Sequence, residues 1–222
     1  MRNSVKEAWV AFNSPMEGMV GHPYLDQHRD PVTKKFAPLL TVGMGNMIDG
    51  PEAFTLPWTI LYLRPATGDE IREGIAAVKA RGDLILQGGG KFAGISNLRL
   101  AQKDIDALIF KRLASNEASL LKYFPRLASC WCADAELGVH SMSWAMGGDF
   151  DQHDRWPGFT KAANAGDWLD ASIQSHMSNG APKRNAANAS LFINAAVVAA
   201  DGLNPDLLVW PARLAPEPPE AA

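Results

Sequence analysis

From Leu100 to Pro125 the chain carries its longest unbroken helical pattern. Ile105, Leu108, Ile109, Leu113, Leu120 and Leu121 recur at helical spacing, and Pro125 ends the run. The residues on its N-terminal side are patterned differently from those on its C-terminal side, so the segment reads as a bridge between two lobes. From Tyr24 to Asn46, Pro, Asp and Gly punctuate short apolar pieces, Phe36 to Leu40 and Thr41 to Met44, which predicts a small hairpin or meander. Beyond Pro125, helical patterns cover about 133–146, 159–165, 167–177 and 185–200, with breaks at Gly147-Gly148, Trp156-Pro157-Gly158, Asn164 to Gly166 and Asn179 to Pro182. The expected class is α+β, with a small N-terminal lobe carrying a β-hairpin, a long connecting helix and a larger, mainly helical C-terminal lobe. We place the lobes at about 14–97 and 125–210 and the connecting helix at about 100–123, within one domain over 1–210. The Pro-, Ala- and Glu-rich segment 211–222 reads as a disordered tail.

Before the β element, Ser4 to Asn13 reads as a short helix with Val5, Ala8, Trp9 and Phe12 on one face. Ser4 is its expected N-cap, with Glu7 three residues later, and Pro15 disturbs its register. Thr67-Gly-Asp-Glu70 is a capping box, and Ile71, Ile75 and Val78 come after it at helical spacing until Gly82 stops the pattern. Gly88-Gly89-Gly90 lacks the continuation of a phosphate-binding loop and reads as a turn.

Composition narrows the function classes. In 222 residues, 47% hydrophobic, there is apolar material for one sizeable core or two smaller ones. Twenty-one Lys and Arg against 24 Asp and Glu leave a net charge of −3, which disfavours a nucleic-acid partner. Residues 1–50 balance, 51–125 carry +2 and 126–222 carry −5. The two cysteines, Cys130 and Cys132, are too close for a relaxed disulfide and lack the second pair of a structural zinc site. The N-terminus has no signal-like apolar region, and the low-polarity run Leu191 to Ala200 is too short to span a bilayer, so neither a signal peptide nor membrane insertion is expected. Asp149, Asp151 and Asp154 read as a solvated loop rather than a metal site.

The chemistry-bearing residues gather where the first helix gives way to the β element: Glu17-Gly18, then Tyr24-Leu25-Asp26, then Thr41-Val42-Gly43-Met44-Gly45. This order and spacing resemble the N-terminal motif of the phage-type lysozymes (endolysins, muramidases), which runs Glu-Gly, Tyr-x-Asp, Thr-x-Gly-x-Gly. Further along, Ala101 to Leu108 resembles the start of that family's connecting helix, Leu137 to Gly147 its buried central helix, and Trp156-Pro-Gly-Phe159 to Trp168 its next two helices. Pro182-Lys-Arg184-Asn185 with Leu191-Phe192 resembles its arginine-bearing loop and final helix. The likeness covers roughly 4–200, with 51–97 matched only by its helix. It departs in the separation of fifteen from Asp26 to Thr41, an enlarged hairpin over Gln27 to Pro38, and in Asn46, where many members have His.

Glycosidic hydrolysis needs one carboxylic acid to protonate the leaving oxygen and a second carboxylate to activate water or attack. Glu17, partly buried at a helix end, suits the acid, and Asp26 on a wetter strand suits the ionised partner. The resemblance implies inversion, with Glu17 as general acid, Asp26 and Thr41 positioning the water, and Arg184 reaching back to the catalytic glutamate; Tyr24, Gly43 and Gly45 read as scaffold around the cleft. It implies hydrolysis of the β-1,4 bond between N-acetylmuramic acid and N-acetylglucosamine in bacterial peptidoglycan, by a monomer without cofactor. Such an enzyme is stored in the host cytoplasm before release or carried in the virion. Two other readings stay open: a metal-dependent hydrolase using His22, Asp26 and His28 with acidic help from the 149–154 loop, and a non-catalytic cell-wall-binding or virion module. Substrate capture would lean on local bases such as Lys34, Lys35, Lys183 and Arg184, so little salt or pH dependence is expected.

Overall fold

The computed structural model describes residues 1–29, 36–151, 155–178 and 182–214. The chain is α+β and forms two compact units, one of residues 17–112 and one of residues 1–16 with 113–222. The first helix thus belongs with the helical unit instead of standing before a lobe of its own.

In the unit of residues 17–112, β1 (Val20–Arg29) pairs antiparallel with β2 (Phe36–Gly43), and β3 (Asn46–Met47) adds to the far side of β2, in the order β1-β2-β3. The expected hairpin and meander are present. A second sheet, β4 (Thr59–Ile60), β5 (Arg64–Pro65) and β6 (Leu98–Arg99) in the order β5-β4-β6, has no counterpart in the sequence reading; strands of two residues leave no period to read. Between them, α2 (Gly68–Lys79) begins as predicted. Thr67 Oγ1 accepts from Glu70 N, the Glu70 carboxylate accepts from Thr67 N, and Ile71, Ile75 and Val78 are buried. Leu25, Leu40, Val42, Trp58 and Phe92 complete a core from which water is excluded.

The helical unit begins with α1 (Asn3–Glu17), which differs from the expected helix at both ends. It starts before Ser4, whose hydroxyl donates to Asp206 O instead of capping, and its first bond runs from Lys6 N to Arg2 O. It also continues through Pro15, because so near the helix end the ring removes a single backbone bond. The long helix α3 (Gln102–Tyr123) passes from one unit into the other, with Ile105, Ile109, Leu113 and Leu120 buried, while Leu121 is exposed where the pattern placed it inside. After it come α4 (Leu127–Cys130), α5 (Ala133–Met146), α6 (Pro157–Ala165), α7 (Trp168–Gln174) and α8 (Pro182–Ala200).

Helix α5 is buried from Ala133 to Trp144 on every side, as expected of a helix at the centre of a bundle. Trp131 and Trp168 meet edge to face at 4.9 Å and Phe159 and Phe192 at 5.2 Å, within the range where aromatic pairs add to simple burial. Asp134, fully buried on α5, accepts from Asn194 Nδ2 and from the backbone N–H groups of Val209 and Trp210. Burial pushes its carboxyl above the ordinary range, and these three donors oppose the shift. Asn194 also accepts from Leu214 N and donates to Ala212 O, so the segment expected to be loose from Pro211 is tied down as far as Leu214. Residues 215–222 lie outside the described residues.

Candidate active site

Antiparallel pairing sets the site. Tyr24 lies directly opposite Thr41 and Asp26 opposite Leu39, so the side chains of Tyr24, Asp26, Leu39 and Thr41 share one face of the sheet, with Asp26 and Thr41 diagonal neighbours. Glu17 arrives at this face as the last residue of α1. Met44-Gly45 turns β2 into β3, and both glycines of the motif are required there. Gly43 and Gly45 have φ of +68° and +74°, and a Cβ on Gly43 would come within 2.6 Å of Ile105 Cγ2.

The open side of Gly45 is where the polar groups converge. Glu17 Oε2 and Arg112 Nη1 lie 3.8 and 3.9 Å from the point a Cβ on Gly45 would occupy, and Arg112 Nη1 donates to Gly45 O at 2.8 Å. Tyr24 is 7% exposed. Burial raises the pKa of its hydroxyl, the charges of Asp26 and Glu17 raise it further, and the Gly45 backbone and Arg112 pull it back. Both candidate carboxylates are therefore felt at one phenol oxygen. The Gly88–Gly90 turn is the other wall: Gly89 leaves room for the Tyr24 ring, which a Cβ there would meet at 3.1 Å, and Gly89 O bonds His22 Nε2 at 2.9 Å.

Several side chains differ from expectation in their surroundings. Glu17 is exposed, so it lacks the partial burial proposed to hold its proton. Asp26 is exposed and accepts from Gln27 N at 2.8 Å. The Thr41 hydroxyl is buried and donates to Leu39 O at 3.0 Å, leaving its lone pairs for a further partner. Asn46, at the position often His in the resembled family, has a structural task, its Oδ1 accepting from Met44 N at 3.3 Å. In the helical unit Arg184 is 3% exposed and donates to Asn13 Oδ1, Ser141 O and Ser141 Oγ, so it is not a surface base available for substrate capture.

Of the alternative metal set, His22 is half-buried with Nε2 engaged by Gly89, and burial lowers its pKa. The side chain of His28 lies outside the described residues, as do His153 and Asp154. Asp151 is buried, accepting from Trp156 N and Thr160 Oγ1, so it ties its loop to the start of α6 instead of standing in solvent. Asp149 pairs with Lys122 at 3.6 Å.

Sequence reasoning misses Arg112 and Gly89. Arg112 gives a faint signal, since it falls on the apolar stripe of α3, three residues after the buried Ile109. Among the described residues no helix is long and apolar enough to cross a membrane. No protein-family model matches the chain, and no curated protein matches it.

Proposed function

We propose that this chain is a glycoside hydrolase of lysozyme-like fold that cleaves the β-1,4 bond between N-acetylmuramic acid and N-acetylglucosamine in bacterial peptidoglycan. The observation that carries the reading is that Asp26 and Thr41 are diagonal neighbours on one face of a small sheet while Glu17 Oε2 lies against the Gly45 turn at the end of β2 in that sheet. Two carboxylates and a water are the whole chemical requirement of the reaction, so no cofactor is invoked.

In this reading Glu17 is the general acid. A sugar covering its exposed carboxyl strips water from it, and lost solvation favours the protonated form needed to donate to the leaving oxygen. Asp26, ionised, orients and activates the attacking water, with Thr41 accepting that water's second proton in a hydrogen bond. Inversion results if the water attacks from the face opposite Glu17. The Arg112 guanidinium, anchored on Gly45 O, fixes the turn over which Glu17 lies. A monomer acting on glycan strands, held in a host cytoplasm or virion until lysis, is the matching biology.

Glu17→Gln and Asp26→Asn, assayed on purified sacculi, test the proposal. We expect each to abolish clearing while sacculus binding in a sedimentation assay stays at the native level, and muropeptides released by the native chain to end in reducing N-acetylmuramic acid. Clearing by Glu17→Gln, or reducing N-acetylglucosamine, free amino groups or anhydro ends in the digest, would sink it. Loss of clearing on adding chelator with the melting temperature unchanged would favour the metal-hydrolase reading, and binding without clearing by the native chain would favour the non-catalytic one.

A further inference from the structure

The helical unit contains a cluster of ligating groups unrelated to the sheet site. Glu136 and His140 stand four residues apart on α5, on the same side of the helix, and Glu117 of α3 joins them; one ligand atom from each lies within 4.8 Å of the others. Glu136 is 1% exposed and His140 fully buried. Among the described residues, neither Nδ1 nor Nε2 of His140 has a hydrogen-bond partner. A fully buried imidazole with both nitrogens unsatisfied calls for a ligand, since leaving such groups unmet is costly. On one side the ring meets Trp9 edge-on, with centroids 6.4 Å apart.

The cluster is already built to hold a cation. The Met1 ammonium pairs with Glu117 and lies 3.8 Å from Glu136 Oε1, and Arg2 binds the same Glu136 carboxylate through its backbone N–H at 2.7 Å and its guanidinium at 2.5 Å. We propose that Glu117, Glu136 and His140 form a binding site for a divalent transition-metal ion of the zinc type, which takes the place of the Met1 ammonium between the two carboxylates. One imidazole and two carboxylates suit such an ion better than calcium or magnesium, which favour oxygen alone. Tetrahedral zinc with bonds of about 2.0 Å separates its ligand atoms by about 3.3 Å, so pairs as far apart as 4.8 Å must draw in by about 1.5 Å. The bound ion satisfies His140 and ties α3 to α5. The site stands whether or not the glycosidase reading does, since none of its residues takes part in that reaction.

Zinc titration of the untagged full chain, stripped with chelator, is the test, together with calorimetry and metal analysis after dialysis. The expected result is one equivalent of Zn²⁺ per chain, a melting temperature that rises with Zn²⁺, and affinity weakened at least tenfold in both Glu117→Gln and His140→Gln. Should His140→Gln fail to fold, Glu117→Gln, whose carboxylate keeps 20% of its surface in solvent, carries the comparison. Co²⁺ on the native chain needs no variant: intense tetrahedral visible bands are expected. Absence of saturable Zn²⁺ binding, equal affinity in the variants, or Co²⁺ spectra of a purely aqueous ion would overturn the proposal.

Discussion

The Thr41 hydroxyl donates to Leu39 O, the residue directly across from Asp26, so any water it holds must be held through its lone pairs. Thr41→Val keeps the shape and removes those lone pairs. We expect kcat on sacculi to fall by roughly 10²-fold, as for loss of a positioned proton-handling group, with a stability loss of only about 1 kcal/mol from the missing Leu39 bond. Thr41→Ser, which restores the oxygen, should recover most of the rate, and unchanged kcat in Thr41→Val would remove Thr41 from the mechanism. Glu17, Tyr24, Asp26 and Thr41 are legible because a short stretch of chain carries them at fixed spacing. Arg112 and Gly89 are not, because each meets its partner across 67 residues of sequence and only pairing in three dimensions brings them there. The exposure of Glu17 is equally invisible in sequence, since it depends on what does or does not pack over a helix end.

At the scale of elements, long periodic segments are readable and short ones are not. The α2 start is legible because a capping box is a local contract between backbone and side chain, and Thr67→Ala should cost about 1 kcal/mol in denaturant melts. Glu70 there is held down to about 2, first by the Arg64 guanidinium and then by Thr67 N–H. A carboxyl depressed in the folded chain contributes stability above its ordinary pKa of 4.5 and loses that contribution as pH falls through about 2. A carboxyl ¹³C titration should show this value rising toward the ordinary one in Arg64→Ala; a value already ordinary in the native chain would contradict the pairing. The β2–β3 turn is the other sensitive element. In Gly43→Ala the Cβ meets Ile105 Cγ2 at 2.6 Å and φ is +68°, so strain and overpacking together should cost about 2–4 kcal/mol, read as a lower denaturant midpoint at unchanged slope. The second sheet escapes the sequence because its strands are held by backbone pairing, such as Thr59 with Arg99, that leaves no side-chain pattern.

For the molecule as a whole, charge is the property that sequence arithmetic fixes and structure redistributes. The unit of residues 17–112 carries 12 Lys and Arg against 11 Asp and Glu, and the remainder carries 9 against 13. The unit bearing Glu17 and Asp26 is thus close to neutral, and many of its bases are already matched: Arg64 with Glu70, Arg72 with Asp69, Lys79 with Asp49 and Arg81 with Asp83. Arg184, a capturing base by its place in the sequence, is buried on Asn13 and Ser141. Peptidoglycan carries anionic groups, and an enzyme that gathers such a substrate through a basic surface loses rate steeply as salt shortens the Debye length from about 30 Å at 0.01 M to about 10 Å at 0.1 M. With no net field of the attracting sign, this chain should clear sacculi at rates differing less than about threefold over that range. Initial turbidity rates at constant pH, from about 10 to about 200 mM NaCl, measure it. A tenfold or greater fall would mean that an uncompensated basic patch draws the substrate in, and Lys183→Glu, at an exposed position beside Arg184, should then lower the low-salt rate and flatten the fall.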